Sequence, residues 1–202
     1  MSRPYGETRP ALITITRTTP PWLADLAGAW IFYSVLPAWP WLEPRFERIA
    51  RFASVIGLVI GLVLVLLWWG LACLGWSATA LAPLVVVLGI WLSGGLHQDG
   101  LMDTADGLAA GAERRLEAME DSRVGASGVL ALAMVLMLQL AALIQLDTLA
   151  PASLVIAAVW SRVAPLWAMA RFPYLRVDGT AGFHRRYGQP LWDGLPSAVV
   201  LS

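Results

Sequence analysis

The chain has 202 residues, of which 58% are hydrophobic and 14% charged, and its mean hydropathy is +0.66. A soluble domain carries about 25% charge, so this composition excludes an ordinary soluble globule and points to an integral membrane protein. The formal net charge is zero and there is no lysine, which argues against non-specific nucleic-acid binding and excludes Schiff-base or P-loop lysine chemistry.

Residues 1–20 are polar and lack the apolar stretch of a secretory signal, so they read as a disordered tail. Residues 21–202 read as one membrane-embedded domain. Within it, the Trp- and Pro-rich stretch 21–41, with Asp25 inside, predicts an interfacial or re-entrant helix. Phe52 to Trp76 carries no charge and predicts a first full span. Its Gly57 and Gly61 form a G-x-x-x-G pair suited to close helix packing. Cys73 is the single cysteine, so an internal disulfide or a zinc site is excluded, and it is expected to pack in the core. Further spans are predicted at 80–96, 127–146 and 149–170, and the stretch from Leu195 to Ser202 reads as the opening of another.

Arg162 falls inside the fourth span, where an arginine costs at least about 2.5–3.5 kcal/mol. It should face a polar cavity or an acidic partner, unless the span starts later and Arg162 snorkels. The other arginines alternate with the spans. Arg45, Arg48 and Arg51 precede the first; Arg114, Arg115 and Arg123 lie in the loop 97–126; Arg171, Arg176, Arg185 and Arg186 follow the fourth. The turns at 77–79 and 147–148 hold none, which places the three Arg-bearing segments in the cytoplasm. The expected fold is all-α: a multi-pass integral membrane helical bundle with a cytoplasmic Asp-rich helix.

Seven of the fourteen acidic residues fall between Asp99 and Asp121. Asp99, Asp103 and Asp106 are spaced i, i+4, i+7, which puts three carboxylates within about 60° on one helix face. A continued helix would add Glu113 and Glu117. Carboxylates stacked in this way repel one another without a cation, and oxygen ligands favour a hard ion such as Mg²⁺ or Mn²⁺, which commonly binds through substrate phosphates. A metal-bridged pyrophosphate site follows; the alternative is a solvated acidic face. Gly94, Gly95, Gly100, Gly107 and Gly111 strip bulk from the same region, either for close approach of a large ligand or for tight helix packing. His97, on the opposite side from Asp99, is a candidate general acid or base or an interfacial cap. Arg123 is a phosphate clamp or a membrane anchor, and Asp121 a metal ligand or a cap. The cluster of Arg171, Arg176, Arg185 and Arg186 around His184 suits phosphate contact and surface anchoring equally.

The run from Gly94 to Gly107, Gly-Gly-Leu-His-Gln-Asp-Gly-Leu-Met-Asp-Thr-Ala-Asp-Gly, resembles the signature of the cobalamin synthase family, the adenosylcobinamide-GDP ribazoletransferases of vitamin B12 assembly. The resemblance continues through Glu113–Val129, which is similar to the family's Arg-x-Leu-Glu-x-Met-x-Asp-Ser-Arg-x-Gly-x-x-Gly block. Arg48–Gly61, Ser161-Arg162 and Pro173-Tyr174 fit more loosely. Gln98 and Met102 stand where the family often has an acidic or aliphatic residue and Ala.

The resemblance implies a Mg²⁺-dependent transferase of the inner (plasma) membrane with its active site facing the cytoplasm. It would join adenosylcobinamide-GDP to α-ribazole or its 5′-phosphate and release GMP. Asp99, Asp103 and Asp106 would serve catalysis and metal binding with His97 beside them, Glu113 and Asp121 would complete the metal set, and Arg115, Arg123 and Arg162 would bind phosphate. The lipid bilayer is the implied surroundings, no nucleic-acid partner is expected, and a homo-oligomer is left open. Family members continue through further membrane helices, so the domain ending at Ser202 is expected to be C-terminally truncated. A CDP-alcohol phosphotransferase would need Asp-Gly-x-x-Ala-Arg, whereas Asp103-Thr104 follow Asp99-Gly100-Leu101-Met102 here. A channel or transporter would need acidic residues inside the spans, and the four predicted spans contain none.

Overall fold

The computed structural model describes residues 19–173 together with Gly182 and Tyr187. Residues 1–18 of the expected tail at 1–20, the arginines at 176, 185 and 186, His184 and the stretch from Leu195 lie outside the described residues. Seven α-helices are described: α1 Pro21–Tyr33, α2 Ala53–Cys73, α3 Ala78–Leu92, α4 Leu96–Ala109, α5 Arg115–Glu120, α6 Ala126–Leu146 and α7 Ala150–Arg171. No strand occurs among the described residues, and the fold is the expected helical membrane bundle.

Two helical runs are long and apolar enough to cross a membrane, Ile49–Cys73 and the 46-residue run Ala126–Arg171. The second divides at Asp147, whose φ of +45° breaks the helical geometry. Gln139 of α6 and Arg162 of α7 line one cavity, so the chain folds back at this break. The predicted third and fourth spans thus correspond to α6 and α7. The predicted second span is shorter than expected. α3 has 15 residues, about 22 Å at 1.5 Å per residue, and stops at Leu92. There the Gly94 amide donates to the Trp91 carbonyl and the Gly95 amide to the Ile90 carbonyl. With Gly94 at φ +67° and Gly95 at φ +71°, this is a Schellman closure, which needs residues without a Cβ penalty at positive φ. The chain leaves it at 88° to α3, and α3 with α4 reaches membrane length only as this bent pair.

The G-x-x-x-G pair packs as its spacing predicts. A Cβ on Gly57 would lie 2.5 Å from the Ala158 carbonyl oxygen, and one on Gly61 would lie 2.8 Å from the Val155 Cα. As numbers rise on α2 they fall on α7, so the two helices run antiparallel in backbone contact. Ile56, Ile60, Leu64 and Trp68 of α2 build the core with Leu81 and Val85 of α3, while Leu66 and Trp69 of α2 face outward, as lipid-facing positions do. Cys73 departs from expectation: it is exposed, because it is the last residue of α2 and lies past the packed part of that helix.

α1 begins with Pro21 at its first position, where the missing amide costs nothing. It lies against the start of α2 through Asp25, which is 0% exposed. Arg45 donates to both Asp25 oxygens, at 2.7 and 2.9 Å, and Arg51 donates to Oδ2. Two of the arginines that mark the first charged segment therefore also neutralise a buried carboxylate. The Val35 amide donates to the Leu92 carbonyl at 3.0 Å, which joins the end of α1 to the end of α3 beside α4.

Candidate active site

α4 carries Asp99, Asp103 and Asp106 on one helix, as the spacing requires. The helix ends at Ala109, and Gly111, at φ +82°, turns the chain away. Glu113 and Glu117 therefore do not extend the stripe: Glu113 lies in the turn after α4 and Glu117 in α5. α5 folds back on α4 at Gly107, where a Cβ would lie 2.5 Å from the Met119 Cγ. The glycines thus separate by role. Gly94, Gly95 and Gly111 serve turns and Gly107 serves helix packing, while Gly100 has open space where its Cβ would be.

Asp106 is held by α6. Its Oδ2 accepts the Gly125 amide at 2.7 Å and its Oδ1 accepts the Gly128 amide at 2.8 Å. These are amides of the first turn of α6, which have no partner within the helix, and a carboxylate there also complements the helix dipole. Gly125 and Gly128 make the approach feasible, since a Cβ on Gly128 would lie 2.6 Å from Asp106 Oδ2. Sequence reasoning did not single out either glycine as a partner of Asp106; the signal was the Gly-x-x-Gly that closes the second motif block.

Asp121 and Arg123 engage each other. The Arg123 backbone amide and Nε donate to Asp121 Oδ1 at 3.0 Å, and Nη2 donates to Oδ2 at 2.6 Å. The side-chain and backbone hydrogen bonds from Arg123 hold the Asp121 carboxyl well below its ordinary range, at about 2. The Arg123 side chain remains 86% exposed, so this is a surface pair of small net worth. Arg115 opens α5 and is exposed.

Arg162 is 6% exposed and faces a cavity of about 370 Å³ between α2, α3, α6 and α7, closed at one end by the start of α4. Arg162 thus faces a cavity rather than snorkelling, but the walls of that cavity are largely apolar where a polar cavity was expected. Nη1 donates to the Ala158 carbonyl at 2.9 Å and to Ser161 Oγ at 3.1 Å, while Nε is buried with no hydrogen-bond partner among the described residues. His97 reaches the same cavity, its Nε2 lying 2.9 Å from the Ser161 carbonyl oxygen. A carbonyl only accepts, so Nε2 carries the proton, and in the neutral ring Nδ1 is left as the acceptor.

The five predicted metal ligands are not gathered into one cluster. Among the described residues no three Asp, Glu, His or Cys side chains form a group that could hold a metal ion. Asp106 turns to α6, Glu113 lies beyond the helix end and Asp121 binds Arg123. Asp99 and Asp103 stand one helical turn apart on α4. Two oxygen donors suit Mg²⁺, which binds through one or two carboxylates and takes the rest of its shell from water and substrate phosphate.

The fold and the site together define an all-α membrane protein whose acidic helix is bent across one end of its bundle. The sequence profile of the cobalamin-5-phosphate synthase family matches residues 25–202, and the chain belongs to that family. It is similar to a protein named adenosylcobinamide-GDP ribazoletransferase from Prochlorococcus marinus (strain MIT 9303), with 65% identity over 184 residues, 90% of this chain and 71% of that protein. Proteins of the same name from Synechococcus elongatus (strain ATCC 33912 / PCC 7942 / FACHB-805) and Synechocystis sp. (strain ATCC 27184 / PCC 6803 / Kazusa) are 41% and 44% identical, over 88% and 82% of this chain and 71% and 65% of theirs. No solved structure matches the chain.

Proposed function

We propose that the chain is an adenosylcobinamide-GDP ribazoletransferase, which transfers the cobinamide phosphate to α-ribazole or α-ribazole 5′-phosphate and releases GMP. The observation that carries this reading is the pairing of the acidic helix α4 with an open cavity at its amino end that holds the buried Arg162, in a chain 65% identical to a protein of that name. A ribazole hydroxyl oxygen bonds to the phosphorus that bears cobinamide. The bond from that phosphorus to the bridging oxygen breaks, and GMP leaves with the bridging oxygen. The hydroxyl proton passes to His97 Nδ1, the ring nitrogen not used by Ser161.

Asp99 and Asp103 would hold Mg²⁺, which would neutralise charge on the pyrophosphate. Asp106 fixes α4 against α6 and so positions the other two. Arg123 and Arg115 meet the outer phosphates; the exposed pair with Asp121 is weak enough for a phosphate to take Arg123 over. The protein belongs in the inner (plasma) membrane with α4 on the cytoplasmic face. The alternation of arginines with spans supports that orientation.

The test is GMP release by the protein in liposomes given adenosylcobinamide-GDP, α-ribazole and Mg²⁺. GMP formation that requires ribazole and Mg²⁺ and is lost in Asp103→Asn supports the reading. A folded protein that releases no GMP would overturn it.

A further inference from the structure

The cavity beside α4 is polar at one end and apolar along its walls. Ser93, His97, Gln98, Ser161 and Arg162 stand at the α4 end, and Leu64, Val85, Leu143, Leu146 and Leu154 line most of the remainder, with Gln139 and Ser153 the polar side chains among them. Its volume of about 370 Å³ falls in the range of small-ligand pockets, which combine apolar walls with a few convergent polar groups. Two of the polar groups are unsatisfied. Arg162 Nε, on a residue 6% exposed, and the buried Gln98 Oε1 have no hydrogen-bond partner among the described residues. Both atoms are closed off as the side chains stand, so a ligand bearing a donor and an acceptor would recover their lost hydrogen bonds once the two side chains turn towards the cavity. A pyrophosphate does not suit these walls, and a lone acyl chain would leave both groups unpaired. A flat apolar ring carrying a sugar matches both parts.

Resting on the transferase reading, we propose that this cavity is the acceptor pocket, taking the benzimidazole of ribazole between α3, α6 and α7 and holding its ribose at Gln98 and Arg162. The ribose hydroxyls then lie at the end of the cavity next to His97, two residues before Asp99, where acceptor and phosphate meet.

Equilibrium binding of radiolabelled α-ribazole to the whole protein in detergent tests this, with GMP release measured separately. Ala157→Phe fills the cavity from α7 and Ala142→Phe fills it from α6. Both should weaken ribazole binding at least about tenfold while each protein keeps its melting temperature to within a few degrees. Gln98→Ala should weaken ribose-bearing ribazole without changing binding of the free benzimidazole base. Ribazole binding as tight in both filled variants as in wild type would overturn the pocket, as would no ribazole binding to wild type. In either case, continued GMP release by wild type would leave the transferase reading standing.

Discussion

Asp106 grips α6 at Gly128: the carboxylate Oδ1 accepts the Gly128 amide at 2.8 Å, and a Cβ there would lie 2.6 Å from Oδ2. The acidic helix is thereby fixed to the start of a membrane span by a side chain that its spacing alone marks as one ligand among three. Asp106→Ala strips two amides of their acceptor, each worth about 1–3 kcal/mol when buried. Because Asp106 is only half-buried, we expect a total loss near the lower end, about 1–3 kcal/mol. Gly128→Ala should cause a similar loss by pushing the carboxylate away, whereas Asp99→Ala, at an exposed position, should leave stability unchanged. Thermal unfolding followed by tryptophan fluorescence checks the three. A Gly128→Ala protein as stable as wild type would sink the capping account.

The approach of α2 to α7 depends on Gly57. Gly57→Val must push a side chain into the Ala158 carbonyl, 2.5 Å from where its Cβ would stand, so the helices must separate. Overpacking of this kind costs about 1–3 kcal/mol. Gly70, on the same helix, has nothing within 4 Å, so Gly70→Ala should be neutral or should stabilise by up to about 1 kcal/mol through helix propensity. Melting temperatures of the two variants should move in opposite directions or differ by several degrees, and equal shifts would contradict the packing described.

Asp25 is wholly buried, whereas its partners keep some exposure, 38% for the Arg45 side chain and 20% for Arg51. The two halves of the cluster should therefore differ in cost. Arg45→Ala combined with Arg51→Ala leaves an uncompensated buried carboxylate, which costs about 3–5 kcal/mol. Asp25→Asn leaves cations that can reach water and should cost less. The order of unfolding midpoints decides the matter, and a Asp25→Asn protein less stable than the double arginine variant would reverse the account.

At the turn before α6, the Asp121 carboxyl is lowered from its ordinary 3.8 to about 2 by its hydrogen bonds from Arg123. A depressed carboxyl favours the folded turn above the unfolded value and loses that effect as the acid form fills. The turn should thus persist down to about pH 4 and open as pH falls from there towards 2. The carboxyl carbon shift of Asp121 in a specifically labelled sample reports this directly. A midpoint near 4 would mean that the pair does not form.

Much of this architecture is legible in sequence because membranes impose long-range order on composition. Uncharged runs mark α2, α6 and α7, the G-x-x-x-G pair marks the α2 contact with α7, and an arginine at membrane depth marks a cavity at Arg162. Other features depend on partners far apart in the chain. Spacing places Asp106 beside Asp99 and Asp103, yet its acceptors are used by amides 19 and 22 residues later. Helix periodicity carries the acidic stripe on to Glu113, but a single left-handed glycine at 111 ends it. Arginines that count as topology markers also neutralise Asp25, which charge counting along the chain does not reveal. Cys73 is apolar in sequence context but terminal in space.

The Gly94-Gly95 closure ties α4 rigidly to the last turn of α3, so the length of that link sets the rotational phase of α4. Each residue added or removed between Ser93 and Leu96 would turn the acidic face by about 100° about its axis, swinging Asp99 and Asp103 towards the bundle and His97 out of the cavity. The link after Ala109 has no comparable effect on that phase. An insertion of a single residue at 94 or 95 would therefore be a more severe lesion than the loss of any one carboxylate, and a change of length after Ala109 a milder one.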